Sequence, residues 1–343
     1  MVSAEYLAGF IDGEGYLALG RIPRTVSHEY PVRVVVYNTN PAVLESIRRK
    51  WGGTLSYSGP RKPRWKPQYA LIWTNAAAAK LLVTVSPYLR VKSKQAVALL
   101  EFHRRLRKCR RVRDARGRLL PLSERELEFR EAFYRYLKRL NARGRSASTS
   151  VLHSNGNGPA LRRVGVGPSI EYLAGFIDAE GSLMIAKWKG TGSWNPQYRA
   201  RISLSNTYRA VLEDVQRAFG GILVDDPRSE VRWKHAYQLV WTGRTVGQLL
   251  SSLMPHLRLK QEQAEVMMDF ISHQRSSRQG REGRNGRFFA ALSDGVIAYR
   301  EGLYRHMRAL NARGLPILSA ADQRSAPATR NGGPLSAVQN PKS

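Results

Sequence analysis

An internal duplication constrains the fold of this chain more than any other feature of its sequence. The stretch EYLAGFIDGEG at 5–15 returns at 171–181 as EYLAGFIDAEG, and the two copies differ only in Gly13 against Ala179. A repeat of this length predicts two homologous structural units. Shorter matches follow in the same order, pairing 38–39 with 206–207, 42–45 with 210–213, 52–53 with 220–221, 73–74 with 241–242 and 140–144 with 310–314.

Composition changes between the repeated halves and after the second one. Residues 145–168 are rich in Ser, Gly and Asn and have no apolar periodicity, which is typical of a flexible linker. Residues 315–343 have a similar composition, and we expect a disordered tail there. The sequence therefore predicts a first domain at 1–144 and a second at 169–314, each of the usual size for one hydrophobic core.

Local signals predict the same element order in each half, α-β-β-α-β-β-α, with extra helices at the C-terminal end, and hence an α+β fold class. Ser3 is placed to cap a first helix, and Asn40 with Pro41 to start a second one at 42–51. Ser123 with Glu126 predicts a capping box for a later helix. Runs of β-branched and aromatic residues predict strands at 16–22, 32–37, 54–58 and 69–73.

One predicted strand of the second half has a clear pattern of faces. Residues 199–205 alternate between polar and apolar side chains. In a strand, this period buries one face and leaves the other open. We expect Arg201, Ser203 and Ser205 on the open face, which would then be cationic.

Charge restricts the class of partner. Lys and Arg number 56 against 26 Asp and Glu, a formal charge of +30 that far exceeds what solubility requires. Nucleic acid is the expected partner, because neutralising phosphates releases counterions. An anionic membrane surface is the alternative, but the chain has no run of about 18 apolar residues and no signal peptide. We expect an intracellular protein, in a bacterial cytoplasm or an organelle.

Cysteine usage excludes two classes of stabilising site. Cys109 is the only cysteine in the chain. A single cysteine cannot form an internal disulfide, nor can it build a cysteine-based zinc cluster. Zinc-finger interpretations of the basic charge are therefore excluded, and the chain is suited to a reducing compartment.

The repeated stretch places unusual residues in a helix. Gly9 lies in its interior, where Gly costs about 1 kcal/mol relative to Ala, so the two copies could pack closely along their small residues. Glu14 lies at its C-terminal end, where the helix dipole disfavours an anion, so a cation is expected nearby. If the helices pack side by side, Glu14 and Glu180 converge and could hold Mg²⁺, with the carbonyls of Gly13 and Ala179 as further ligands. An ordinary core helix ended by glycine is the alternative interpretation.

The stretches 7–15 and 173–181 resemble two copies of the LAGLIDADG motif of homing endonucleases. The chain is similar, over about 3–314, to monomeric members in which one chain imitates a two-fold dimer. The resemblance implies antiparallel sheets that form a DNA-binding saddle. It also implies metal-dependent hydrolysis of both strands of a long, asymmetric double-stranded DNA site, leaving short 3′ extensions. Glu14 and Glu180 would bind the catalytic Mg²⁺, for which Mn²⁺ or Ca²⁺ could substitute in binding.

The same resemblance implies further site residues. A repeated Pro-x-Leu-x-x-Lys pattern puts Lys92 and Lys260 beside the scissile phosphates, where they would stabilise negative charge. A solvated lysine at a helix start is the alternative. Asn38 and Asn206 resemble the polar residue that completes the family's pocket. Asp12 and Asp178 of the motif are expected to be structural.

Basic residues on the strands and hairpins are candidates for DNA contacts. Arginine can bond bidentately to guanine, whereas lysine more often contacts phosphate. We therefore expect some of these residues to contact bases and others to contact the phosphate backbone. Because the halves differ at most of these positions, the site should be asymmetric and span about two helical turns. The candidates are Arg33, Arg61, Lys62, Arg64, Lys66, Lys187, Arg201, Arg228, Arg232 and Lys234.

Other functions remain compatible with parts of the pattern. An RNA maturase would share the fold and charge, but the retained glutamates and lysines favour a nuclease. A non-cleaving DNA-binding regulator would be expected to lose one or both glutamates. An unrelated metal nuclease built on Asp226 and 230–232 would leave the duplication unexplained. An intein would need a nucleophilic Cys or Ser at its junction, so an intron-encoded or free-standing monomer is preferred.

Overall fold

The computed structural model describes residues 2–24, 28–59, 66–109, 114–116, 120–142, 167–188, 196–226, 235–277, 281–282, 288–289 and 292–312. The first half contains α1 (Ala4–Glu14), β1 (Gly15–Leu19), β2 (Val32–Asn38), α2 (Pro41–Trp51), β3 (Thr54–Ser58), β4 (Gln68–Thr74), α3 (Asn75–Val85), α4 (Ser93–Lys108) and α5 (Glu124–Leu140). The second half contains α6 (Ile170–Glu180), β5 (Gly181–Trp188), β6 (Gln197–Asn206), α7 (Arg209–Phe219), β7 (Ile222–Asp226), β8 (Ala236–Thr242), α8 (Arg244–Leu253), α9 (Gln261–Ser276), β9 (Arg281–Glu282), β10 (Phe288–Phe289) and α10 (Asp294–Leu310).

Each half contains a four-stranded antiparallel sheet with its strands in the same order. The first sheet has the order β1-β2-β4-β3 and the second has β5-β6-β8-β7. The register is repeated too, since Val34 lies opposite Trp73 and Ile202 lies opposite Trp241. The predicted α+β fold of two αββαββα units is confirmed, and further helices follow each unit.

Most predicted helix starts are confirmed at the atomic level. The Ser3 side chain accepts from the Tyr6 amide, and the Asn40 side chain accepts from the Ala42 amide. Ser123 also caps α5, but the capping box is only half formed. The Glu126 carboxylate instead pairs with Arg130 at 2.9 Å, because an arginine one turn later offers it a charged partner.

Strand β1 is shorter than the sequence predicts. It ends at Leu19 rather than at Ile22. Beyond its end, Gly20 donates to the carbonyl of Pro31 at 2.8 Å, and Ile22 forms only an isolated bridge with Glu29. Proline has no amide hydrogen, so Pro31 cannot complete the ladder between these two points.

The predicted open face of β6 is wrong at one position. Arg201 and Ser205 are half-buried, but Ser203 is only 3% exposed. It lies in the middle of a central strand, opposite Ser182 on one side and Val240 on the other. A side chain this short does not rise above its neighbours, so alternation alone overestimated its exposure.

The two halves meet along α1 and α6, and this line of contact is called the seam below. Leu7 and Phe10 of α1 and Leu173 and Phe176 of α6 are fully buried in one hydrophobic core that spans both halves. The seam therefore belongs to the core of the molecule.

Glycine allows the backbones of the two seam helices to touch. A Cβ built on Gly9 would lie 2.1 Å from the carbonyl oxygen of Tyr172, and one built on Gly175 would lie 2.0 Å from that of Tyr6. Neither position has room for a side chain. The predicted close approach of the two helices is confirmed, and the alternative of an ordinary core helix is wrong.

Parts of the predicted domain organisation lie outside the described residues. Of the linker predicted at 145–168, only Gly167 and Pro168 are described, and none of the tail predicted at 315–343 is. The domain bounds stay a prediction. Within the described residues, no helix combines the length and apolar character needed to cross a lipid bilayer.

Candidate active site at the helix seam

The two motif glutamates end the two seam helices. Glu14 is the last residue of α1 and Glu180 is the last residue of α6, and a strand begins at the next residue in each case. A Cβ built on Gly13 would lie 2.3 Å from Ala179 Cβ and 3.0 Å from Glu180 Cγ. The helix ends are thus in contact, and they bring the two acidic side chains to the same end of the seam.

Two lysine ammonium groups cap these helix ends. Lys92 Nζ donates to the carbonyl oxygens of Ile11 at 2.8 Å and Asp12 at 2.5 Å. Lys260 Nζ donates to those of Ile177 at 2.8 Å and Asp178 at 2.5 Å. Carbonyls at a helix C-terminus carry partial negative charge, so a cation is stabilised there. The interpretation of a solvated helix-start lysine is therefore wrong, and the divalent cation expected beside Glu14 stays a prediction.

One predicted metal ligand has a different partner in the structure. The Gly13 carbonyl accepts from Lys92 Nζ at 3.3 Å. That bond is longer and weaker than the bonds to Ile11 and Asp12. The carbonyls of Gly13 and Ala179 remain predicted ligands, and the first would share its oxygen with the lysine.

Glu14, Glu180, Lys92 and Lys260 form one electrostatic group, called the seam cluster below. Burial raises the pKa of Glu14, and the charges of Lys260 and Lys92 partly offset this. Burial lowers the pKa of both lysines, and the opposing effect comes from the nearest aspartate and from both glutamates. Each lysine thus interacts with the glutamates of both halves.

Motif aspartates hold the lysine-bearing segments in place. Asp12 is 2% exposed and accepts from the backbone amides of Arg90, Val91 and Lys92 at 2.7, 3.1 and 2.9 Å. Asp178 makes the equivalent three bonds in the second half, at 2.7, 3.1 and 3.0 Å. This arrangement agrees with the structural role expected for both aspartates.

The seam cluster fits a hard divalent cation. Carboxylates and backbone carbonyls are the oxygen donors that Mg²⁺ prefers, and it usually binds through one or two carboxylates together with waters and phosphate oxygens. No group of three or more His, Cys, Asp or Glu residues close enough to hold a metal occurs in the described ranges. Glu14, Glu180 and the carbonyls of Gly13 and Ala179 are oxygen donors of the kind that Mg²⁺ binds.

Comparison with known protein families matches part of the chain. The sequence model of the LAGLIDADG endonuclease family matches residues 173–242, which contain the second motif. This match spans 70 of the 343 residues and places the LAGLIDADG endonuclease sequence pattern in the second half of the chain. The first half carries the same motif at 7–15. No curated relative matches the chain in sequence.

Solved structures of LAGLIDADG proteins share the whole fold. I-GzeII in complex with its DNA target is 14% identical with a TM-score of 0.62, over 91% of this chain and 100% of that one. I-SmaMI bound to cleaved DNA is 13% identical with a TM-score of 0.63, over 91% of this chain and 99% of that one. I-AabMI bound to uncleaved DNA is 17% identical with a TM-score of 0.59, over 89% and 98%. These proteins share both halves of the fold.

The two asparagines predicted for the pocket each end a strand. Asn38 is the last residue of β2 and Asn206 is the last residue of β6. Each side-chain oxygen accepts from the backbone amide two residues later, that of Asn40 or Tyr208, at 2.8 Å. The turns that start α2 and α7 thus use these oxygens, and the role of both asparagines in a pocket stays a prediction.

Four of the predicted DNA-contacting residues lie in the described part of the chain. Arg33 lies on β2, and Arg201 donates to Gln238 at 2.6 Å on the second sheet. Lys187 forms an ion pair with Glu301 at 2.7 Å, and Lys66 reaches the carbonyl of Ala312 in the other half at 3.5 Å. The other six, Arg61, Lys62, Arg64, Arg228, Arg232 and Lys234, lie outside the described residues.

Sequence reasoning missed the tyrosines that cross the seam. Tyr6 donates to the Asp178 carboxylate at 2.7 Å, and Tyr172 donates to the Asp12 carboxylate at 2.8 Å. The sequence contains a signal for them, because a tyrosine precedes LAGFID in both copies of the repeat. Burial, then the charge of the aspartate, raises the pKa of each tyrosine well above its usual value, so each hydroxyl stays a donor.

Proposed function

We propose that this protein is a site-specific homing endonuclease of the LAGLIDADG type that cuts both strands of a long, asymmetric double-stranded DNA site. The observation that carries the proposal is the seam cluster, in which Glu14 and Glu180 end two helices whose last turns touch and the charges of both glutamates act on each lysine. The formal charge of +30 supports a nucleic-acid substrate. The DNA complexes of I-GzeII, I-SmaMI and I-AabMI support double-stranded DNA as that substrate.

Carboxylates of the seam cluster would hold the divalent ion. Glu14 and Glu180 would bind Mg²⁺, with Mn²⁺ or Ca²⁺ able to replace it in binding, and the carbonyls of Gly13 and Ala179 could add ligands. When bound, the ion supplies Lewis-acid activation of the phosphate and of a water. Glu14 would bind it in the charged form, against the effect of burial on its pKa.

Lysines and asparagines of the site would act on the phosphate and the water. Lys92 and Lys260 each hold a positive charge at a fixed place, because helix carbonyls fix the ammonium group. Such a preorganised charge stabilises the negative charge that develops on a phosphate during hydrolysis. Asn38 and Asn206 would orient water through their amide groups.

The two halves would each contact one half of the DNA site. We assign the domain at 1–144 to one half-site and the domain at 169–314 to the other, with the two sheets forming a saddle over the DNA. Arg33 and Arg201 occupy equivalent positions in these sheets and would contribute to base or phosphate contacts. The protein would act as a monomer, because both motif helices are supplied by one chain, and would leave short 3′ extensions.

Selection from a randomised duplex library tests the proposal. The purified protein is incubated with the library and Mg²⁺, and the cut ends are sequenced. We expect one asymmetric consensus, with cuts on both strands separated by a few base pairs. Binding of a specific duplex without any cut would instead support the non-cleaving regulator, and failure to bind DNA would refute the proposal.

A further inference from the structure

Two tyrosine–aspartate hydrogen bonds connect the halves across the buried seam. The phenol of Tyr172 in the second half donates to Asp12 Oδ2 in the first, at 2.8 Å. The phenol of Tyr6 in the first half donates to Asp178 Oδ2 in the second, at 2.7 Å. Both tyrosines and both aspartates are at most 2% exposed, so water does not compete for these bonds.

Each aspartate also controls the segment that carries the lysine of its own half. Asp12 accepts from three successive amides, those of residues 90–92, and Asp178 accepts from those of 258–260. The last residue of each triplet is the lysine of the seam cluster. A carboxylate with four donors has a fixed orientation, so a change in one donor alters the geometry of the other three.

We propose that Tyr6 and Tyr172 are positioning residues that act across the seam: Tyr172 fixes the segment of Lys92, and Tyr6 fixes the segment of Lys260. Each half thus depends on the other for the place of its own lysine. The effect on cleavage rests on the proposed nuclease function, whereas the structural link does not.

The two links differ in strength, because among the described residues an ion pair across the seam is seen beside one of them alone. Arg90, in the Lys92 segment, also forms an ion pair with Asp214 of the second half at 3.1 Å and lies 5.6 Å from the centre of the Tyr172 ring. The repeat places Ser46 where the second half has Asp214, and a serine cannot form an ion pair with Arg258. Loss of the Tyr6 hydroxyl should therefore loosen the Lys260 segment more than loss of the Tyr172 hydroxyl loosens the Lys92 segment.

Amide hydrogen exchange tests the structural link without any need for catalysis. In Tyr172→Phe we expect the amides of 90–92 to exchange about tenfold faster or more, as for a lost bond to a charged group, while 258–260 stay unchanged. In Tyr6→Phe we expect the amides of 258–260 to exchange faster, by a larger factor, while the amides of 90–92 stay unchanged. Unchanged exchange in both segments, or a change only in the half that carries the substitution, would overturn the proposal.

Strand-specific cutting tests the positioning role. On the selected site, Tyr172→Phe should slow the cut on one strand of the duplex by about tenfold or more, and Tyr6→Phe should slow the cut on the other strand by a similar factor. Each variant should therefore accumulate a nicked product, and the nick should lie in opposite strands for the two variants. DNA affinity should stay unchanged. Equal slowing of both strands by either variant would show a merely structural role and refute positioning. If the wild-type protein cuts no duplex, the nuclease proposal fails, and the exchange experiment still decides the structural link.

A matched control removes a similar bond outside the seam. Tyr299 on α10 donates to the Asp269 carboxylate of α9 at 2.8 and 3.0 Å, in an exposed position. Tyr299→Phe should leave exchange at 90–92 and 258–260 and the cutting of both strands at wild-type values. A strand bias in this variant would show that the bias does not depend on the seam, and would overturn the proposal.

Discussion

At the scale of single residues, each seam lysine has two tasks that a neutral side chain cannot perform. Lys92 and Lys260 donate to carbonyls at the ends of α1 and α6 and carry a positive charge that interacts with both glutamates. Burial opposes the charged form of both lysines and of Glu14, and the opposite charges around them offset this.

Replacing one of these lysines separates the two tasks. Lys92→Met should lower the free energy of unfolding by about 1–3 kcal/mol, because it removes the bonds that the ammonium group donates to the carbonyls of Ile11 and Asp12. It should also slow cleavage about 100-fold or more, through loss of a charge that stabilises the transition state. Chemical denaturation and cleavage assays measure the two effects. Lys94→Met, at an exposed lysine on α4, is the control, and equal stability of the two variants would contradict the capping role.

At the scale of elements, the seam depends on the absence of a side chain at Gly9. Gly9→Ala should push α1 and α6 apart, since its Cβ would lie 2.1 Å from the Tyr172 carbonyl oxygen. We expect the free energy of unfolding, measured by urea denaturation, to fall by about 1–3 kcal/mol or more. Gly302→Ala on α10 is the control, because a Cβ there meets nothing within 4 Å and Ala favours helix. A Gly9→Ala protein as stable as the control would show that the helices do not touch as described.

The contact of α10 with the second sheet should depend on pH. Glu301 accepts from Lys187 and Tyr198, and these bonds lower its pKa from 4.5 to about 2. Because the folded state lowers this pKa, the contribution to stability is full above pH 4.5 and is lost as pH falls towards 2. Glu301→Gln should therefore be less stable than wild type at pH 7, and the difference should vanish near pH 2.

Thermal melts across this range measure the effect of Glu301. Glu128→Gln, at an exposed glutamate on α5, is the control and should follow the wild type. A stability difference between Glu301→Gln and wild type that stays constant from pH 7 to the acid limit would rule out this ion pair as its source.

Elements with local signals are the part of this fold that the sequence predicts well. The caps at Ser3 and Asn40 and the repeated order of helices and strands follow from neighbouring residues, so they could be read directly. The glutamates and lysines of the seam cluster could be predicted from the repeated motif and from its resemblance to the LAGLIDADG motif. The tyrosine bonds could not be predicted, because Tyr6 and Asp178 lie 172 positions apart and only the packing of the seam brings them together.

At the scale of the whole molecule, positive charge should control DNA binding. A protein that neutralises about 6–10 phosphates loses about 10³ to 10⁵ in affinity between 50 and 200 mM salt. With a formal charge of +30, we expect a loss in this range for both specific and unrelated duplexes. Titration of a labelled duplex at several salt concentrations measures the slope. A nearly flat dependence would contradict a binding surface built from lysine and arginine.

Cleavage by the two glutamate variants tests the central claim most directly. On the selected duplex with Mg²⁺, Glu14→Gln and Glu180→Gln should each lose double-strand cutting by about 100-fold or more, as expected when charge stabilisation in the transition state is lost. Both should still bind the duplex with Ca²⁺, and Glu45→Gln on α2 should cut as wild type does. Full double-strand cleavage by either seam variant would contradict the assignment of the active site.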